Sequence, residues 1–182
     1  MSAREGVLRE RPLALVDQHT AMATLFDSEY VRLRGIAYVL AGDAHVAEEI
    51  TMEAFVRAFA SWSRLRQLEW PAGYLRKIVI NLCRGRARRR VVESRVNALV
   101  QASREPGPDP WDAGESDARL DLWHAVRRLP DRQRACIVLR YLEDLSDGEI
   151  ASILGCSVGT VKTHLFRARA SLERVLHAGE AV

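Results

Sequence analysis

Residues 145–169, LSDGEIASILGCSVGTVKTHLFRAR, leave the chain little choice of local fold. Ser146 and Glu149 make the S-x-x-E capping box, in which each side chain satisfies a free N–H of the other's turn. Ile150, Ala151 and Leu154 give one inward face, and Gly155 stands where a chain can leave a helix left-handed without a Cβ penalty. Ser157 is a good N-cap for a second helix. There Val161, Leu165, Ala168, Leu172 and Val175 recur in alternating steps of four and three as one buried stripe. At about 100° per residue the opposite face carries Gly159, Thr163, Phe166, Arg167 and Arg174, with Lys162 on its flank. A small Ala151 and a Gly155 ahead of a cationic helix have the spacing of a DNA-reading helix-turn-helix. The plainer alternative is a helical hairpin with a solvated basic face.

A length of 182 residues allows one compact domain or two small ones. The net charge of +3 decides nothing by itself, but its distribution does. Arg84, Arg86, Arg88, Arg89 and Arg90 crowd one place and acids crowd another, which points to a polyanionic partner. Cys83, Cys136 and Cys156 are an odd, widely spaced set without C-x-x-C. They fit a reducing cytoplasm and argue against a disulfide framework or a structural zinc. No secretory h-region and no apolar run long enough to span a bilayer is visible, so a soluble, cytoplasmic chain without membrane insertion is expected.

Helical periodicity runs through most of the rest, and the predicted class is all-α: two small helical domains joined by a flexible linker. Residues 1–20 mix charges without a period and are expected to be a mobile tail. Within the first domain, 21–91, a helix over about 23–41 carries the stripe Phe26, Tyr30, Leu33, Ala37 and Leu40, and Gly42 ends it. Asp43 can cap a second helix with Val46, Ile50, Phe55, Phe59 and Trp62 on its apolar side. Glu48, Glu49 and Glu53 remain as an acidic surface, which solvation alone would explain. Pro71 suits the first turn of a third helix reaching about Arg90, with Leu75, Ile78, Val79 and Leu82 inside. Its outer row is Lys77, Asn81, Arg84 and Arg88, a set dressed for phosphate contact in which Asn81 could read a base edge. Ile80 also points outward on this reading. Trp70 and Tyr74 flank the start of the helix, where they could stack on unpaired bases or equally belong to the core.

Residues 92–117 lose the period and gain Pro106, Gly107, Pro108, Pro110, Gly114 and several acids, the marks of a linker too poor in apolar groups to dock. Few direct contacts between the two domains are therefore expected. The second domain, 118–182, opens with Leu122, Trp123, Val126 and Leu129, stopped by Pro130. Asp131 can cap the next helix, with Ala135, Val138, Leu139 and Leu142 inside. No catalytic constellation, phosphate-binding Gly loop or metal-ligand spacing of His emerges, so no enzyme activity, cofactor or metal is expected. His164 falls at the edge of the buried face, as a packed or half-exposed imidazole.

Two basic helical modules, a linker and an acidic helix follow one another in a known order. The chain resembles the extracytoplasmic-function (ECF) sigma factors, promoter-specificity subunits of bacterial RNA polymerase. The resemblance rests on Leu40-x-Gly42-Asp43, Ala47-Glu48-Glu49-Ile50-x-x-Glu53-x-Phe55, Pro71-x-x-Tyr74-Leu75-x-x-Ile78-x-x-Asn81, Leu129-Pro130-x-Arg132-x-Arg134, and Gly155-Cys156-Ser157-Val158-Gly159-Thr160-Val161-Lys162. It departs from the usual pattern at Met52, Tyr74 and Gly85.

The resemblance implies that the first domain is sigma region 2 and the second is region 4. It implies docking of the polymerase β′ coiled coil through Glu48, Glu49 and Glu53, and contact of the β flap with region 4. It further implies melting and reading of a −10 element by Trp70, Tyr74, Lys77, Asn81, Arg84 and Arg88. A −35 element would be read by Gly159, Thr160, Lys162, Thr163, Phe166 and Arg167, and an anti-sigma factor is a further implied partner. The competing reading is an autonomous LuxR-type regulator, which accounts for residues 146–176 and leaves the outer row of the third helix unexplained.

Overall fold

The computed structural model describes residues 17–96 and 117–179. All regular structure among them is helical: α1 Gln18–Ala41, α2 Ala44–Ala60, a single turn α3 Trp62–Leu65, α4 Pro71–Val96, α5 Asp117–Arg127, α6 Asp131–Ile137, α7 Asp147–Leu154 and α8 Val158–Gly179. The expected tail and linker lie outside the described residues, apart from their helical ends. Helix α1 starts early because the Asp17 carboxylate accepts from the N–H groups of His19 and Thr20. Helix α4 continues through Val92–Val96 into the segment expected as linker, where no glycine or proline stops it.

Helices α1, α2 and α4 form the first module. Gly42 takes the left-handed conformation (φ +76°) and donates to Tyr38 O at 2.8 Å, and Asp43 Oδ1 accepts from Val46 N at 2.9 Å. One helix thus stops and the next starts within two residues. Phe55 packs on Phe26 with ring centroids 5.0 Å apart, over a floor of Leu33, Ile36, Ile50, Leu75 and Val79. Phe59, expected inside, is 39% exposed at the edge of the module, where its ring packs on His19 with centroids 5.5 Å apart.

Helices α5 to α8 form the second module. The capping box is complete: Glu149 N donates to Ser146 Oγ, and Ser146 N donates to Glu149 Oε2 at 2.7 Å. Gly155 takes φ +63°, and Val161, Leu165 and Ala168 fill the core beneath α8. Three expectations are corrected. Asp131 caps no helix; it binds Arg134 Nη2 at 2.6 Å. Leu142 is exposed, because a π-turn over Val138–Leu142 inserts a residue and rotates it out of the inward stripe. Val175, the last position of the α8 stripe, is exposed as well.

The largest correction concerns the seam between the modules. Few contacts were expected because the linker is too polar to dock, yet the two modules dock without it. Helix α1 packs on α5 and α6, α4 packs on α7, and the buried apolar side chains of both modules form one continuous cluster. Ile80, expected to face outward, is 1% exposed and belongs to that cluster.

Gly85 lies inside α4, and a Cβ there would meet nothing within 4 Å. Alanine removes backbone freedom from the unfolded chain at no steric cost. Gly85→Ala is expected to stabilise the protein by up to about 1 kcal/mol. At this chain size that is a rise in Tm of about 2–4 °C in thermal denaturation; a lower Tm would refute it.

Candidate nucleic-acid interface

Helix α8 is anchored before it is exposed. Ser157 Oγ accepts from Thr160 N at 3.1 Å and lies 2.8 Å from Thr160 Oγ1, so Thr160 serves the cap and is half-buried. Thr163 Oγ1 donates to Gly159 O at 2.9 Å, which leaves its methyl group outward. Gly159, Lys162, Thr163, Phe166 and Arg167 share the exposed face. Phe166 is 73% exposed, an expensive place for an aromatic ring unless something apolar meets it. His164 is half-buried beside this face; desolvation, followed by repulsion from Arg132 and Arg167, holds its pKa below the ordinary histidine value.

On α4, Lys77, Asn81 and Arg88 are exposed, whereas Arg84 is partly covered. Desolvation, then the neighbouring Arg132 and Arg88, weaken the proton affinity of Arg84. Trp70 and Tyr74 are half-buried and pack against the core. Trp70 lies across the first turn of α4, where a Cβ built at Gly73 would fall 2.2 Å from its Cε3 atom. The guanidinium of Arg64 lies 5.8 Å from the Tyr74 ring centroid. The row and the two aromatics therefore occupy one end and one side of α4, with the aromatics tucked in.

Helix α2 presents Glu48, Glu49 and Glu53 to solvent. Glu49 reaches Arg86 Nη1 at 2.8 Å and Glu53 reaches Arg57 Nη2 at 2.5 Å. Between the acids lie Met52 and Val56, the latter 65% exposed. Sequence periodicity passed over this apolar spine, although two apolar residues on the acid-bearing side of an amphipathic helix were the available signal.

Two all-helical modules, each with a cationic row and the second built on a helix-turn-helix, define a class of DNA-binding proteins. The sequence matches sigma-70 region 2 over residues 25–92 and sigma-70 region 4 over residues 119–172. It is 31% identical to the ECF RNA polymerase sigma factor SigW of Bacillus subtilis, over 86% of this chain and 89% of that protein. The RNA polymerase sigma-E factor of Streptomyces coelicolor is 33% identical, over 82% of this chain and 85% of its own length. The fold is shared with the sigma factor RpoE of Bartonella quintana, solved in complex with the anti-sigma factor NepR. There the TM-score is 0.73 at 24% identity, covering 87% of this chain and 98% of that one. The chain belongs to the ECF RNA polymerase sigma factors of the sigma-70 family. The LuxR-type reading leaves the region 2 match unexplained and is not favoured.

Proposed function

We propose that the first module docks on core RNA polymerase through α2 and that α4 reads and opens the −10 element. In the same reading α8 reads the −35 element in the major groove, and the β flap meets region 4. Glu48, Glu49 and Glu53 supply charge complementarity to a basic β′ coiled coil, while Met52 and Val56 supply the apolar contact that a helix-on-helix dock requires. Such a factor works in the cytoplasm, has no catalytic chemistry of its own, and is held in check by an anti-sigma factor.

The observation that carries the promoter reading is Phe166, held outward in a cationic row on an anchored helix. A thymine methyl or a sugar edge gives the ring an apolar partner, and the Arg167 fork matches guanine O6 and N7.

Binding and strand opening should both require core polymerase, because each module offers one short helix and only a fixed spacing makes two weak contacts strong. With holoenzyme, Arg167→Ala should cost about 1–3 kcal/mol of discrimination at one −35 base pair, and Asn81→Ala should change which −10 variants open. A uniform loss over all −35 variants would make Arg167 a phosphate contact. Tight operator binding by the protein alone would overturn the whole reading.

A further inference from the structure

The seam between the modules is not built like a domain core. Its centre is Arg76 of α4, a residue 4% exposed. Arg76 Nε donates to Glu143 Oε2 at 2.6 Å, and Nη2 pairs with the same carboxylate, whose side chain is 2% exposed. Arg76 Nη1 lies 2.9 Å from Glu29 Oε2 of α1, an ion pair that is off the hydrogen-bond axis. Glu29 belongs to the same module as Arg76; Glu143 belongs to the other. A second polar anchor crosses the seam, where the Arg127 guanidinium stands 4.5 Å from the Tyr38 ring centroid. Beside these anchors the packing is incomplete. A solvent-open groove of about 220 Å³ runs between Leu40, Val46, Cys83 and Ala87 of the first module and Arg134 of the second, with the exposed Arg86 at its edge.

Charges also oppose the closure. Across the seam Arg84 of α4 faces the like charge of Arg132 of α6; Arg88 adds to the positive charge on its own helix, as Arg132 and Arg167 do beside His164. Asp131 is the acid facing this group, and it is already engaged by Arg134. Buried ion pairs fix geometry more than they stabilise, since both charges regain hydration when the pair opens. The seam therefore combines a specific register, a modest hold and a built-in repulsion.

We propose that this seam is a reversible latch, in which Glu143 of region 4 holds Arg76 of region 2 and closes the protein into a form unable to engage both promoter elements at once. The closed form brings Arg84 of the −10 row and the −35 helix to either side of Arg132. Elements at −10 and −35 stand about 25 base pairs apart, or roughly 85 Å of duplex at 3.4 Å per pair. Opening frees Glu143, while Arg76 keeps Glu29.

The latch carries a signature that an ordinary surface salt bridge lacks. Salt barely screens the buried pair but does screen the half-covered Arg84 from the exposed Arg132, the Debye length falling from about 10 Å at 0.1 M toward 3 Å at 1 M. Added sodium chloride should therefore close the protein.

The test is small-angle scattering of the full chain between about 0.05 and 0.5 M NaCl. The unmodified chain should contract with salt toward the radius of gyration of about 16 Å expected of a compact body of 182 residues. Glu143→Gln should be more expanded at every salt concentration, and Arg132→Glu should already be compact at low salt. The double variant Arg76→Met/Glu143→Met should close again, since an apolar pair of similar size can replace a buried ion pair. A Glu143→Gln profile equal to that of the unmodified chain would overturn the latch. If that variant loses helical content by circular dichroism, the salt series on the unmodified chain decides: expansion or no change overturns it. The promoter consequence rests on the proposed −10 and −35 contacts, whereas the scattering tests the latch without DNA, so the two can fail separately.

Discussion

Replacing Glu49 and Glu53 together by lysine is expected to abolish co-purification with core polymerase while leaving the fold intact. Both side chains are about half exposed, and their pairs with Arg86 and Arg57 are surface pairs. Such pairs contribute about 0.2–1 kcal/mol each, so the double reversal should lower Tm by a few degrees at most. The docking effect is far larger, because two reversals replace attraction with like-charge repulsion at a desolvating interface. Affinity capture of polymerase, read beside circular dichroism and a thermal melt, separates the two effects. Retained capture would remove the acidic face from the docking surface and leave Met52 and Val56 to carry it. Capture lost together with helical content would show that the charges matter to folding instead.

The second large effect is expected at Gly73. The Trp70 indole occupies the volume of the missing Cβ, with Cε3, Cδ2 and Cζ3 all within 2.5 Å of where that atom would stand. Gly73→Ala must expel the ring, since a fused aromatic cannot flex away as the tip of a lysine would. Overpacking of this kind costs about 1–3 kcal/mol, a fall in Tm of several degrees. Removing the obstacle should repair it: Trp70→Ala/Gly73→Ala should be more stable than the sum of the single changes predicts. Strand opening at promoters should fall with Gly73→Ala by more than lost stability explains, because Trp70 leads into the helix proposed to read the −10 element. Additive single and double effects would mean that the ring has another route out.

How much of this was visible beforehand follows the range of each interaction. The capping box, Gly42 and Gly155 are set by residues within one turn of each other, and they were read correctly from spacing alone. The outward face of α8 was equally legible, because a stripe that is buried on one side fixes what lies on the other. Arg76 and Ile80 were not. What buries Arg76 is Glu143, which stands 67 positions away in sequence, and nothing in the periodicity of α4 announces it. Glu29 is the same case on α1. Leu142 failed for a different reason: one inserted residue in a π-turn shifts every later position around the helix, and a periodic reading assumes no insertion. The candidate DNA rows were named in full, yet Thr160 and Trp70 carry structural duties that a motif does not distinguish from contact.

Cys83 gives the seam a chemical clock. Burial pushes its thiol up to about 12 from 9.0, and it lines the groove where the modules meet. Only the thiolate attacks an electrophile or a peroxide, so burial holds that attack back. If the proposed latch opens, Arg134 leaves the groove beside Cys83, and the thiol should then react faster with a soluble disulfide reagent. With Cys136 and Cys156 replaced by serine, a reagent that counts thiols would then report on openings at Cys83 alone.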